Sequence, residues 1–474
     1  MTETLSVDLC VIGGGSGGLS VAAGASQMGA RVVLLERGKM GGDCLNYGCV
    51  PSKAMIAAAH AAHAVRRARR FGIEAGEPAV DFGRVHAHVH GVIGAIAPHD
   101  SVERFEGLGV KVLQEHGRFV GRNRVQAGDT VIEAKRIVIS TGSRAGVPPI
   151  PGIETVPYLT NETVFDLEAA PEHLIVVGGG PIGSELAQAH RRLGCRVTIL
   201  EMFKILGKDD PELAEVVKNR MRGEGIAMRE GIKVLGIEQS GDGIAVRIEE
   251  NGVEERIEGS HLLVSAGRIP NLDGLDLEKA GIEYDKRGVR VDARLRTTNR
   301  KVFAIGDAAG GFQFTHVAGY HAGIVIRNAL FRLPAKVDYT ALPWVTYADP
   351  ELAHVGLTEA QAREKFGDIR VLRHGYAEND RAQAEAETDG FVKVITTAKG
   401  VVVGASIVGA HAGELIQSWL LPIQKKMKIG QIAGLIIPYP TLGEINKRAA
   451  GSFFTPTLFS DRTRKVVRFL LRFA

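Results

Sequence analysis

The sequence predicts an α/β protein built on two βαβ units, and three observations predict it. A strand–glycine turn–helix–strand pattern occupies the start of the chain, the same pattern recurs well downstream, and both copies close on a carboxylate. In the first copy residues 7–12 read as an apolar strand and Gly13-Gly14-Gly15-Ser16-Gly17-Gly18 as the turn. An alanine-rich stretch up to Gly29 reads as the helix, and residues 31–35 as a second strand that ends at Glu36. In the second copy the strand is 174–177 and the turn is Gly178-Gly179-Gly180-Pro181-Ile182-Gly183. The helix is 184–193, and the next strand, 196–200, ends at Glu201. The acidic residue stands at the same offset from the last glycine in both.

Each feature of this pattern has a physical use. Gly13, Gly15 and Gly18, like Gly178, Gly180 and Gly183, allow a tight turn and close approach of backbone to a pyrophosphate. That group then rests on the exposed N–H groups of a helix N-terminus, with Ser16 and Ile182 among the turn residues expected at the two cofactors. The carboxylates of Glu36 and Glu201 are placed to accept a hydrogen bond from an adenosine ribose. One such motif is often a plain tight turn. Two in strand–turn–helix context, each with its acid, predict two Rossmann-like domains and two dinucleotides.

Composition bounds the rest. A chain of 474 residues is too long for one core, so roughly two to four domains are expected. The net charge of +4 is too small to make nucleic acid the main partner. No apolar run reaches the length of a membrane span. The opening residues, MTETLSVDLCVIGGG, pass into a strand pattern without a basic region or cleavage site, so no signal peptide is expected. Four cysteines exclude a disulfide-built scaffold, and a reducing cytoplasm is the expected compartment.

Two of those cysteines, Cys44 and Cys49, lie in GGDCLNYGCVPSK, directly after the first unit. Zinc normally takes four ligands from two close pairs, and neither Cys10, inside a strand, nor Cys195, just before one, makes a second pair. A purely structural disulfide is disfavoured in the cytoplasm, which leaves a working redox couple. Pro51 sets φ for a helix start and residues 52–59 read as helix. Cys49 is therefore expected just before a helix N-terminus, where the dipole stabilises a thiolate. A flavin can hand two electrons to a disulfide, whereas a nicotinamide delivers hydride and normally needs such a relay. FAD is therefore expected in the first cradle, beside the cysteines, and a nicotinamide cofactor in the second. Glu201 would repel a 2′-phosphate and favours NADH over NADPH; Met202 and Phe203 supply no arginine for that phosphate, although Lys204 follows.

The stretch GGDCLNYGCVPSKA resembles the active-site signature of the pyridine nucleotide–disulfide oxidoreductases, the class with dihydrolipoamide dehydrogenase, glutathione reductase and mercuric reductase. The resemblance covers almost the whole chain. RIVISTGSR (136–144), with Thr141 and Gly142, resembles the second FAD-contact strand of that family. HLLVSAGRIPN (261–271), with Gly267, resembles the strand that closes its nicotinamide domain. VFAIGD (302–307), with Gly306 and Asp307, resembles the stretch whose aspartate holds the flavin's ribityl chain. Gly117, in HGRF, falls where the family uses backbone to hold the adenine. LPWVTYADPELAHVGLTEAQA (342–362) resembles the opening of its dimerisation domain.

The resemblance implies an FAD domain at 1–150, an NAD(P) domain at 151–270, a return to the FAD domain at 271–340 and a C-terminal α+β dimerisation domain at 341–474, in a homodimer. It implies Cys44 as the interchange thiol and Cys49 as the charge-transfer thiol. It also places Gly42 at the flavin and an ion pair of Lys53 with Glu185 beside it.

One departure stands out. Lipoamide dehydrogenases and glutathione reductase carry a His-Pro-Thr-x-x-Glu motif whose histidine, oriented by the glutamate, is the acid–base for the dithiol. Here the stretch is Tyr439-Pro440-Thr441-Leu442-Gly443-Glu444. A tyrosine, with a pKa of roughly 10, is a poor base near neutrality but can donate a hydrogen bond or a proton. Mercuric reductases also carry tyrosine there, and the segment 313–318 looks closer to theirs. Their mercury delivery uses a vicinal cysteine pair near the C-terminus, however, and here no cysteine follows Cys195. Three readings result. The first is a mercuric reductase-like NAD(P)H oxidoreductase whose acceptor is a metal ion, a quinone-like oxidant or a protein disulfide. The second is a dihydrolipoamide dehydrogenase. The third is a membrane-associated or partner-binding flavoprotein that senses redox state.

The remaining features read more plainly. His99 and Asp100 are expected at a helix end. His86 and His90 share a helix face with no third ligand, so no metal site is assigned. His316 and His321 are expected to pack or hydrogen-bond, and RRARR (66–70) is expected to be a solvated face. In DRTRKVVRFLLRFA a helix would gather Arg464, Arg468 and Arg472, with Lys465 beside them, opposite Val466, Leu470 and Phe473. Either the apolar side packs in the dimer or the helix lies on an anionic membrane.

Overall fold

The computed structural model describes residues 3–473. Its first strand, Glu3–Ile12, is central to a seven-stranded sheet and is flanked on both edges by parallel neighbours. Val32–Leu35 pairs Leu9 with Val32 and Ile12 with Leu35, while Thr130–Ile139 pairs Ile139 with Ile12. Val110–Leu113 extends one edge and Val302–Ala304 docks beside the end of Thr130–Ile139. A strand reading VVLL is apolar on both faces because both are covered. Leu19, Val21 and Val325 from two helices pack on one face, and Phe119, Val125 and Leu275 pack on the other.

Val302–Ala304 comes from far along the chain because a second unit is inserted. The chain leaves through Ser143–Ala145 and returns through Arg268–Pro270, and these two segments pair antiparallel. Between them lies a parallel sheet in the order Ala227–Glu230, Arg196–Glu201, His173–Val177, His261–Val264. A three-stranded antiparallel sheet is appended to it. The third body is a five-stranded antiparallel sheet running from Pro343–Thr346 to Ile369–Gly375, with Trp419, Tyr376 and Ile445 in its core. The protein is thus mixed α/β, with two Rossmann-like units and a C-terminal α+β unit.

The helix that carries Cys49 binds these bodies together. It spans Cys49–Arg67, and Ala54, Met55 and Ala59 share a core with Leu174 and Leu186 of the inserted unit. The basic run at its end is only in part the solvated face expected from its composition, with Arg69 exposed and three others engaged. Arg66 donates to the Arg192 carbonyl at 2.6 Å, Arg67 pairs with Glu387, and Arg70 donates to the Ala386 carbonyl at 2.7 Å. Three arginines therefore tie the helix end to the inserted unit and to the third sheet.

Two helix starts also differ from expectation. The redox helix begins at Cys49, with Gly48 as its cap, and the second cradle's helix begins at Pro181. Proline fits in a first turn because the N–H it lacks has no intrahelical partner there. It therefore marks a helix's first turn without fixing its first residue. The rings of His86 and His90 lie 4.2 Å apart between centroids, tilted by 50°, and His90 Nε2 lies 3.1 Å from the Phe165 carbonyl. Among the described residues no group of three or more His, Cys, Asp or Glu is placed to hold a metal ion, and no helix is long and apolar enough to cross a membrane.

Candidate active site

The two glycine turns superpose in their chemistry atom by atom. A Cβ at Gly18 would fall 1.9 Å from the Gly13 carbonyl oxygen, and one at Gly183 would fall 2.0 Å from that of Gly178. Any side chain at either position would force helix and strand apart. Glu36 accepts from the Gly14 N–H at 2.6 Å and from Gly38 N–H at 2.7 Å. Glu201 accepts from the Gly179 N–H at 2.7 Å and from Phe203 N–H at 2.9 Å. Each carboxylate thus braces its own turn, and its remaining lone pairs stay available for a ribose hydroxyl.

A serine that sequence reasoning missed completes each cradle. Ser140 Oγ donates to the Ile12 and Gly13 carbonyls, both at 3.0 Å. Ser265 Oγ donates to those of Val177 and Gly178, at 3.3 and 3.0 Å. Ser140 directly precedes the motif residue Thr141, and Ser265 lies two residues before Gly267. The signal was their equivalent place at the ends of strands neighbouring the two turns.

Beside the first cradle Glu36, Gly117, Thr141 and Leu275 line one cavity. Gly117 presents bare backbone there, and the Thr141 hydroxyl is buried without a hydrogen-bond partner. An orphaned hydroxyl in the same cavity as the Glu36 carboxylate fits the adenosine half of FAD. Gly306 N–H donates to His321 Nδ1 at 3.1 Å, and His321 Nε2 lies 2.6 Å from the Tyr339 hydroxyl. Burial holds His321 well below its ordinary value, at about 4, so it stays neutral and fixes the turn that carries Asp307. Asp307 accepts from Ser143 Oγ at 2.5 Å, Ser143 Oγ accepts from Arg268 Nε at 2.7 Å, and Arg268 reaches Asp43 at 3.0 Å. That polar chain links the first unit, the returning ribbon and the redox segment.

The redox segment is clipped onto the first cradle. Gly41 N–H donates to the Gly14 carbonyl at 2.9 Å, and a Cβ on Gly42, whose φ is +61°, would lie 2.7 Å from Gly15 Cα. Cys44 sits on the short helix Gly42–Asn46 and Cys49 opens the next one. In this dithiol the two sulfurs are unequal. The neighbouring Cys44 thiol, Thr315 and the charge of Lys53 pull the Cys49 pKa below its ordinary value, against the opposing effect of burial. Cys49 raises Cys44 in turn, reinforced by burial. Thr315 Oγ1, which the sequence did not single out, lies 3.3 Å from Cys49 Sγ.

Lys53 and Glu185 meet as expected from the resemblance, Nζ to Oε2 at 2.7 Å, with Glu185 almost fully buried. The loop after Pro343–Thr346 supplies a third member. Tyr347 N–H donates to Glu185 Oε1 at 2.9 Å, and its ring lies 4.4 Å beneath the Lys53 ammonium. Tyr439 stands apart from this group in the sequence and is largely exposed, donating to Asp380 Oδ2 at 2.9 Å. That bond and the Asp380 charge raise the Tyr439 pKa, with Glu444 adding a smaller push. Glu444 begins the helix Glu444–Gly451 and is half-buried.

Residues 7–322 match the family described as pyridine nucleotide-disulphide oxidoreductase, and residues 342–450 match its dimerisation domain. The chain belongs to the pyridine nucleotide-disulphide oxidoreductase family. A dihydrolipoyl dehydrogenase of Geobacillus stearothermophilus is 37% identical over 95% of each chain. A mercuric reductase of Streptomyces lividans is 36% identical over 94% of this chain and 96% of its own. Among solved structures, the HOCl-induced flavoprotein disulfide reductase RclA of Escherichia coli aligns with a TM-score of 0.84 and 26% identity, over 94% of this chain and 99% of that one. As a pyridine nucleotide-disulphide oxidoreductase the protein is a flavin-dependent enzyme, and its dimerisation domain supports a homodimer. These relatives divide between dithiol and metal substrates in their names, so the family alone leaves the acceptor open.

Proposed function

We propose that this oxidoreductase takes electrons from NADH, in preference to NADPH, and passes them through Cys44 and Cys49 to a disulfide or soft-metal acceptor, in the manner of the mercuric reductase-like members. The observation that carries this reading is the placement of Cys44 and Cys49 on a segment clipped to the first glycine turn, with Thr315 Oγ1 3.3 Å from Cys49 Sγ. FAD, when bound, supplies the two-electron relay between a nicotinamide and a disulfide. The residues at hand for it are Gly13, Gly15, Ser16, Gly18, Glu36, Gly42, Gly117, Thr141, Gly142, Gly306 and Asp307. Gly178, Gly180, Ile182, Gly183, Glu201 and Gly267 serve the nicotinamide cofactor, with 1–150 and 271–340 read as the FAD domain, 151–270 as the NAD(P) domain and 341–474 as the dimerisation domain.

Reducing the disulfide with two electrons and one proton gives a thiol and a thiolate, which is the state the geometry favours. Cys49 holds the negative charge, stabilised by Cys44, Thr315 and Lys53. Cys44 keeps the proton and faces the acceptor in the exchange. Lys53 and Glu185, fixed by Tyr347, place a charge pair with a buried carboxylate at the junction of the two cradles. A cytoplasmic setting, where a dithiol is kept reduced, suits this chemistry.

Tyr439 supports the mercuric reductase-like reading over dihydrolipoamide dehydrogenase. A phenol bonded to Asp380 gives up its proton less readily than a free one, so it is a poor base for a lipoamide dithiol. The test is steady-state NADH oxidation with Hg(II), lipoamide, glutathione disulfide and quinones, run on the wild type and Cys44→Ser. At least one acceptor should be reduced by the wild type alone. Equal rates in Cys44→Ser for every acceptor would sink the dithiol route.

A further inference from the structure

We propose that the last helix, Asp461–Leu470, with the residues through Phe473, is a docking element for an anionic membrane surface. Ser460 caps this helix by accepting from Thr463 N–H, so its start is defined. Its two sides differ sharply. Arg464, Lys465, Arg468 and Arg472 form one side, with Arg462 at its margin, while Val466, Val467, Leu470 and Phe473 form the other, with Phe469 and Leu471 at the edges. Phe469 and Phe473 pack edge to face at 5.2 Å, which makes one aromatic ridge of them. Apart from half-buried Thr463, every residue from 461 to 473 is exposed, including Leu471 at 66% and Phe473 at 76%. An apolar stripe left this open on a soluble body marks an interaction site.

Charge decides which occupant suits it. The segment holds five of the chain's 58 Lys and Arg residues and one of its 54 Asp and Glu residues. It therefore carries the whole formal charge of +4, and the remainder of the chain is neutral. A second copy of the same helix would meet five cations with five cations. The family's dimerisation domain, moreover, matches residues 342–450 and stops short of this helix. A nucleic acid would satisfy the cations and leave the apolar stripe in water. An anionic bilayer satisfies both sides, with the stripe at the acyl boundary and the arginines among the headgroups. A helix of this length lies in the interface and does not span it.

The test uses the FAD-loaded full chain and four proteins: wild type, a variant lacking residues 461–474, R464E/R468E and F469S/L470S. Each is sedimented with phosphatidylglycerol–phosphatidylcholine vesicles and with pure phosphatidylcholine vesicles, at low and high salt. Wild type should bind the anionic vesicles at least about tenfold better than the neutral ones, and lose this as salt rises. Each variant should lose binding by about tenfold or more, while dimer mass and NADH oxidation stay as in the wild type. No vesicle binding by the wild type would overturn the proposal, and so would unchanged binding after the deletion. Binding that survives F469S/L470S would assign the helix to polyanions instead, and dimer dissociation on deletion would assign it to the second copy. Vesicle binding is scored without any electron acceptor, so it stands or falls apart from the redox reading.

Discussion

The two cradles share a backbone design and differ in what surrounds it. Both have the bracing carboxylate, the serine at the neighbouring strand end and the glycine pair that allows no Cβ. The first is then closed in. The redox segment is clipped onto its turn, Gly117 and Thr141 wall one end, and the His321-held turn brings Asp307 to it. The second stays open, with Ile182, Met202 and Phe203 all exposed around its turn. On the proposed reading one backbone device serves as a resident holder in one place and as an exchange site in the other. What decides is the packing added around it.

Breaking each cradle in turn should separate these roles. Gly18→Val should give a folded but colourless protein, because the added side chain collides with the Gly13 carbonyl and displaces the turn whose N–H groups would hold the flavin's pyrophosphate. Gly183→Val should keep the flavin colour and raise the KM for NADH by about 100-fold, or about 2.7 kcal/mol. Visible absorbance and steady-state kinetics on both variants would check this; loss of colour in both would erase the distinction. Next in size is the substrate side. Tyr439→His should raise lipoamide-linked turnover by about tenfold or more, since an imidazole titrates near neutrality. An unchanged rate would mean that Tyr439 does not limit dithiol chemistry.

Smaller effects sharpen the comparison. Glu201→Gln should narrow the preference for NADH over NADPH by about fivefold, or about 1 kcal/mol, by removing one charge from the open cradle. Glu36→Gln should leave that ratio alone. The dithiol carries a pH signature as well. Cys49 lies at about 6 in the folded protein against an ordinary 9.0. A depressed group stabilises the fold fully above its unfolded pKa, and the gain is lost as pH falls through the folded one. Thermal denaturation of the reduced protein should therefore show a stability contribution that shrinks from pH 9 towards pH 6 and is missing in Cys49→Ser. A profile identical in the two proteins would mean that the sulfur is not a thiolate.

Much of this was legible in the sequence, for a physical reason. Glycines at 13, 18, 178 and 183 are imposed by atoms that approach too closely for any Cβ, so the cradles write themselves locally. Cys44, Cys49 and Lys53 share one short stretch whose spacing sets their geometry. What stayed hidden acts across long separations. Tyr347 works through its backbone N–H and the face of its ring, neither of which leaves a residue pattern. Asp380, the partner of Tyr439, begins the helix Asp380–Ala384, and only the fold brings them to 2.9 Å. The arginines at 66, 67 and 70 read as solvated because their carbonyl and carboxylate partners are hundreds of residues away or in another domain. Ser140 and Ser265 could have been found by aligning the two halves of the chain with each other.

The most direct test of the account is the anaerobic reduction of the FAD-loaded protein by NADH, followed by absorbance. The wild type and Cys44→Ser should both develop a broad long-wavelength band that depends on the Cys49 thiolate, and Cys49→Ser should not. An unchanged band in Cys49→Ser would contradict the assignment of that sulfur, and with it the link between the closed cradle and the dithiol.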